Sequence, residues 1–149
     1  MNPIDTQTLL NRLIVMAKDG ESALTAAAEE AYHEELKTAL TDYARFFHDA
    51  ATELQDQVRA LGGEPRGRGS FENTLHRTWL HLKSMAFGHD ERVILDEVEA
   101  EESLADTLYA EAPLWDLPED VRRIIDRQAA EARQRHQQIR RLRESLPAT

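Results

Sequence analysis

Residues 61–69 read Leu61-Gly62-Gly63-Glu64-Pro65-Arg66-Gly67-Arg68-Gly69. Paired glycines followed by a proline end a helix. Glycine takes the left-handed backbone that a helix C-terminus needs, and proline cannot continue the turn. The segments on either side of this break decide the fold. Before it, Leu36, Ala39, Tyr43, Phe47, Ala50, Leu54, Val58 and Leu61 recur at helical spacing and predict one long amphipathic helix. After it, about 27 residues pass before the next long stripe, enough to run back along a helical bundle.

The other helices follow outward from there. Asn2-Pro3 reads as an N-cap with proline at the first helical position. The first helix then runs to about Ala31 on a stripe of Leu9, Leu13, Ala17, Leu24, Ala28 and Ala31. No glycine or proline marks its end. A turn near residues 32–34 is expected, because an unbroken helix of about sixty residues would be some 90 Å long. Ser70 is expected to cap a short helix over residues 71–87, closed by Gly88, and Asp90 to cap the third long helix. That helix carries Ile94, Val98, Ala105, Tyr109 and Ala112. Residues 113–118 form the next turn, with Trp115 expected against a bundle end. The fourth helix starts near Pro118, with Glu119 and Asp120 in its first turn, where acids are favoured. Its stripe is Val121, Ile124, Ile125, Ala132, Ile139, Leu142 and Leu146. Two short joins make two antiparallel hairpins, and the long middle connection leaves the second and third helices parallel. The expectation is a single all-α domain over residues 1–149, a ferritin-like antiparallel four-helix bundle with a short helix in its crossover.

Composition narrows the function. There is no cysteine, which removes disulfides, thiolate zinc sites and cysteine nucleophiles and fits a reducing cytoplasm. A net charge of −10 argues against a phosphate-backbone partner. The N-terminus lacks a basic segment and a small-residue cleavage site, and its apolar run over residues 13–17 is too short to span a membrane. The glycine-rich stretch 62–69 reads as a flexible linker and lacks the Lys-Ser/Thr of a P-loop. The acids of residues 97–111 and the arginines of residues 133–143 are expected to lie side by side with complementary charge. On the crossover, Leu75 and Trp79 are expected to cover the bundle while the charged groups of the segment holding His76, Arg77, His81 and Lys83 face water, with an interaction face as the alternative.

Some polar residues fall where the stripes call for carbon. Glu21 lies near the first stripe, Tyr43 faces inward on the second, Glu102 sits close to the third with Glu99 at its edge, and Gln128 and Glu131 lie on the fourth. In the one-crossover topology these positions come to a common depth, about eleven residues or some 16 Å from the first turn. Buried carboxylates are costly unless paired or bound to a cation. Oxygen ligands suit hard cations such as magnesium, manganese or iron. Ferritin-like centres use inward Glu residues plus Glu-x-x-His on two helices. That second motif is missing from the layer: Glu53 and His48 are five apart, as are Glu131 and His136, and Glu30 to His33 lies at the turn. The candidate ligand set is Glu21, Glu53, Glu99, Glu102, Gln128, Glu131 and His136, with Tyr43 hydrogen-bonding behind it. The alternative is a hydrogen-bonded Glu–Tyr–Gln network with Arg45 or Arg135 balancing charge.

Several local patterns carry a resemblance. They are Leu9-Leu10-Asn11 with Asp19-Gly20-Glu21, Glu53-Leu54 leading to Leu61-Gly62-Gly63-Glu64-Pro65, and Gly69-Ser70. Leu75-His76-Arg77 with Trp79 and Lys83, then Ile94-Leu95 through Glu99 and Glu102 to Tyr109, continue it. Leu117-Pro118, Val121-Arg122, Arg127-Gln128, His136 and Ile139-Arg140 with Leu142-Arg143 complete it. In order and spacing the chain resembles bacterial ferritin-like proteins of domain of unknown function 2383, over nearly its whole length. The resemblance implies a ferritin-like bundle and no particular activity. It points to Glu21, Glu99, Glu102, Gln128, Glu53 and His136. One departure is Glu101, where family members often carry a glycine. Two functional expectations stand side by side. One is a metal-binding protein, with iron or manganese at the Glu layer, in a stress or metal-handling role. The other is a non-enzymatic bundle that forms homo-oligomers or binds a protein partner.

Overall fold

The computed structural model describes residues 3–69 and 91–146. The crossover helix expected over residues 71–87, the caps expected at Asn2, Ser70 and Asp90, and His76, His81 and His89 lie outside the described residues. Among those described there are four long helices and no strand: α1 (Pro3–Glu30), α2 (Glu34–Ala60), α3 (Glu91–Glu111) and α4 (Glu119–Ser145), with a 3-10 turn over Ala112–Leu114. None of these helices is long and apolar enough to cross a membrane.

α1 packs on α2 and α3, and α4 packs on the same two. Contacts at both ends give the directions. Arg12 meets Glu111 while Tyr32 meets Glu91, so α1 and α3 are antiparallel. Glu102 meets His136 and Glu99 meets Arg143, so α3 and α4 are too. Glu53 meets Arg127, and Leu36 lies with Leu142 and Leu146, so α2 and α4 are as well. α2 and α3 therefore sit across the bundle from each other and run parallel, as one long crossover requires. The complementary charges on α3 and α4 do meet: Arg143 bridges Asp96 and Glu99, and Arg140 approaches Glu99.

The core draws on the expected stripes and extends beyond them. Leu9, Leu13, Leu24, Leu36, Leu54 and Ile94 are buried, and so are Leu10, Ile14, Met16 and Leu40. Burying side chains of this size stabilises the fold by roughly 1.5–3 kcal/mol each. α1 and α2 approach closely where a small residue lies in their seam: Gly20 sits against the Phe47 ring. Phe47 in turn stacks on Tyr43 with ring centroids 4.9 Å apart.

The helix ends have local causes. At the end of α2, Gly62 takes φ 83°. Its N–H donates to the Arg59 carbonyl at 2.9 Å, and the Gly63 N–H donates to Val58 at 3.0 Å. That pair of bonds satisfies carbonyls a helix end leaves free. Residues 62–69 are not a slack linker. Gln7 donates to the Leu61 carbonyl, the Arg66 N–H donates to Asn11, and a Cβ at Gly69 would overlap the Asp19 carboxylate. The chain thus runs back along α1, which is the direction the crossover must take.

Candidate functional site

The interior polar groups fall into two linked sets. On α4, Gln128 is 1% exposed. Its amide nitrogen donates to Glu53 of α2 at 2.8 Å, and its oxygen accepts from the Tyr109 hydroxyl of α3 at 3.0 Å. Glu53 is held in addition by the Arg127 guanidinium. These partners fix which end of the amide carries the oxygen. Gln128 forms part of the floor of an open groove of about 770 Å³ between α2 and α4, whose charged walls include Asp49, Glu53, Arg127 and Arg135.

The second set centres on Glu102 of α3, 2% exposed. Its Oε2 lies 2.8 Å from Nε2 of His136, whose Nδ1 lies 3.2 Å from Asp106. A guanidinium nitrogen of Arg140 lies 3.3 Å from the same Nε2. His136 thus lies between the two carboxyls, with the Arg140 guanidinium beside it. Burial pushes the Glu102 carboxyl up to about 8, with Asp106 and Glu99 adding to the shift and Arg140 opposing it.

Tyr43 of α2 is fully buried. Burial, with the carboxyls of Glu102 and Asp106 close by, raises its pKa, and burial does the same for Tyr109. Both phenols therefore stay protonated. Two buried oxygens, Tyr43 Oη and Glu102 Oε1, have no hydrogen-bond partner among the described residues. A buried hydroxyl without a partner costs stability. Tyr43→Phe is therefore expected to be neutral or to stabilise by up to ~2 kcal/mol. Urea melts read this, and a marked loss of stability would mean that the hydroxyl is partnered.

The expected residues do not all come together. Tyr43, Glu102 and Gln128 lie in the interior, and Glu53 and His136 stand partly buried at its edge. Glu21 does not join them. It sits at the α1–α2 surface, 3.0 Å from His48 and 3.7 Å from Lys18. Its displacement follows from the breadth of the buried face of α1, whose centre lies further round than the leucine–alanine stripe alone suggests. Glu99 is half exposed and bound to Arg143, and Glu131 is half exposed beside Arg127. Tyr109 belongs to the third stripe but reads there as apolar, and Asp106, Arg127 and Arg140 are members that the stripes do not point to. The spacing of Glu102 with Asp106 and of His136 with Arg140, each i and i+4, is the signal that does.

Iron or manganese needs several oxygen or imidazole ligands around one point. The expected set does not supply this arrangement: among the described residues no three His, Asp or Glu side chains gather where a cation could be held.

Comparison with known proteins places the chain. No curated protein matches it. Residues 5–113 match the family model described as "Domain of unknown function (DUF2383)", and over that majority of its length the chain belongs to this family.

Proposed function

We propose that this chain is a ferritin-like bundle acting as a non-enzymatic assembly or interaction module, with its polar layer serving as structure. One observation carries this reading. The acids expected to ligate a metal are already engaged by protein groups. Glu21 has His48 and Lys18, Glu53 has Arg127 and Gln128, Glu99 has Arg143, Glu131 has Arg127, and Glu102 has His136. Such a network fixes which helix faces which, because a slipped register would leave buried polar groups unpaired. The net charge of −10 and the lack of cysteine suit a bacterial, cytoplasmic protein whose partners are proteins, a second copy of itself included, and not nucleic acid or membrane.

The other reading, iron or manganese held in the layer in a metal-handling or stress role, draws support from Tyr43 Oη and Glu102 Oε1, the two unpartnered oxygens among the described residues. Elemental analysis of protein purified without chelator, followed by anaerobic iron(II) titration, separates the two. The structural reading expects no stoichiometric metal and no change in Glu102→Gln or Glu53→Gln. One equivalent of metal in the wild type, lost in Glu102→Gln, would overturn it. Light scattering of the same sample tests for homo-oligomers.

A further inference from the structure

The end of the bundle that carries the first turn is clamped by a single side chain, independent of the polar layer. Glu91 of α3 is 3% exposed. Its Oε2 accepts the backbone N–H of Tyr32 at 2.8 Å and of His33 at 3.0 Å, and its Oε1 meets Nδ1 of the His33 ring. His33 stands at the N-cap of α2 with extended backbone and makes no side-chain cap bond of its own. The carboxylate therefore does two things. It satisfies the amides on which the turn depends, and it places negative charge at the start of α2, where the helix dipole favours it. His33 also borders a groove of about 370 Å³ between the start of α2 and the end of α4, whose apolar lining is Leu36, Leu142 and Leu146.

We propose that Glu91 is a proton-operated latch: ionised, it holds the α1–α2 turn against α3; neutralised, it frees His33 and widens the leucine-lined groove between α2 and α4. A carboxylate accepts strongly on both oxygens, whereas a carboxylic acid accepts more weakly and turns one of them into a donor, whose proton a backbone N–H cannot receive. His33 is the titratable group facing Glu91. Nearby, Glu30 ends α1 half-buried, Glu34 and Glu35 are at the first turn of α2, Arg92 follows on α3, and α4 presents Ser145 and Leu146.

Burial alone would raise the carboxyl, but the N–H groups of His33 and Tyr32 and the His33 ring outweigh it and hold it below its usual 4.5. A folded value below the unfolded one means that the clamp acts fully above the ordinary carboxylate range. It is lost as pH falls through the lowered folded value. The latch is shut at neutral pH and opens in acid.

Amide hydrogen exchange on the full chain tests this. As pH is taken from about 7 down to about 2.5, below the ordinary carboxylate range, protection of the Tyr32 and His33 amides should drop at least ~10-fold, the effect of losing one charge-assisted hydrogen bond, while Ala51 in mid-α2 keeps its protection. Glu91→Gln should show the same local loss at neutral pH and should bind a hydrophobic dye that the wild type does not. If Glu91→Gln fails to fold, the wild-type pH series still decides, and His33→Ala should show a smaller loss at Tyr32. Protection at Tyr32 and His33 that follows Ala51 at every pH, or that is unchanged in a folded Glu91→Gln, overturns the proposal.

Discussion

Replacing Glu102 by Gln is expected to make the protein more stable in mild alkali. The carboxyl moves from its usual 4.5 to about 8 on folding, chiefly by burial, with Asp106 and Glu99 adding and Arg140 opposing. A raised folded value means that the native state holds the proton more tightly than the unfolded chain does. The stability this brings is fully present below the unfolded value and is lost as pH rises through the folded one. The wild type should therefore weaken steadily between about pH 5 and pH 8 by an amount on the order of 4 kcal/mol. The amide of the Glu102→Gln variant has no acidic proton to lose. Urea melts at about pH 5, 7 and 9 should show the two proteins nearly equal in acid and the variant ahead in alkali. Equal pH slopes in the two would mean that Glu102 is ionised throughout.

The α1–α2 seam yields the second large effect. Phe47 is nearly fully buried and stacks on Tyr43. Its truncation to alanine is expected to cost ~3–5 kcal/mol. Gly20 faces the same ring, and a Cβ there would sit 2.8 Å from Phe47 Cδ2 and 2.9 Å from Cε2. Those atoms belong to a ring wedged in the core, so Gly20→Ala should destabilise by ~1–3 kcal/mol, less the gain of up to ~1 kcal/mol that alanine brings to a helix. In the Phe47→Ala background the clash is gone and only the helical gain remains, together with a methyl group in the cavity. The same Gly20→Ala change should then stabilise. Denaturation of the four proteins in this cycle checks the reversal of sign, and additive effects would mean that the two residues do not touch.

The helices are legible in the sequence where their signals are local. The end of α2 is written in Gly62-Gly63, and the four stripes carry much of the core. The first turn rests only on an argument from length, since nothing in residues 31–34 breaks a helix by itself. The reason lies 58 residues away, in the Glu91 carboxylate that takes the His33 amide. The polar layer is legible in part. Tyr43, Glu102 and Gln128 lie well inside their stripes, and no rotation of the helix takes them to water. Glu21 lies as close to its stripe as Glu102 does, with Glu99 at the edge of its own and Glu131 beside Gln128, yet each of these three long side chains swings outward to a cation on the same or a neighbouring helix. Helical periodicity does not say which way such a side chain turns. Tyr109 reads as an apolar stripe member, and its hydroxyl finds Gln128 only once α3 and α4 are set side by side. Glycines 67 and 69 suggest a loose linker, yet the chain there is bound along α1 and α2 because Asn11 and Gln55 face it.

Burial raises the Glu102 carboxyl in the core, so that it keeps its proton beyond the usual carboxylate range. Infrared difference spectroscopy of the carboxylic C=O stretch, comparing wild type with Glu102→Gln, reads this. A protonated carboxyl band is expected in the wild type at about pH 6 that is absent from the variant and fades as pH rises through about 8, following the raised value of Glu102. A wild-type spectrum at about pH 6 that lacks this band, with Glu102 contributing only carboxylate absorption, would contradict it.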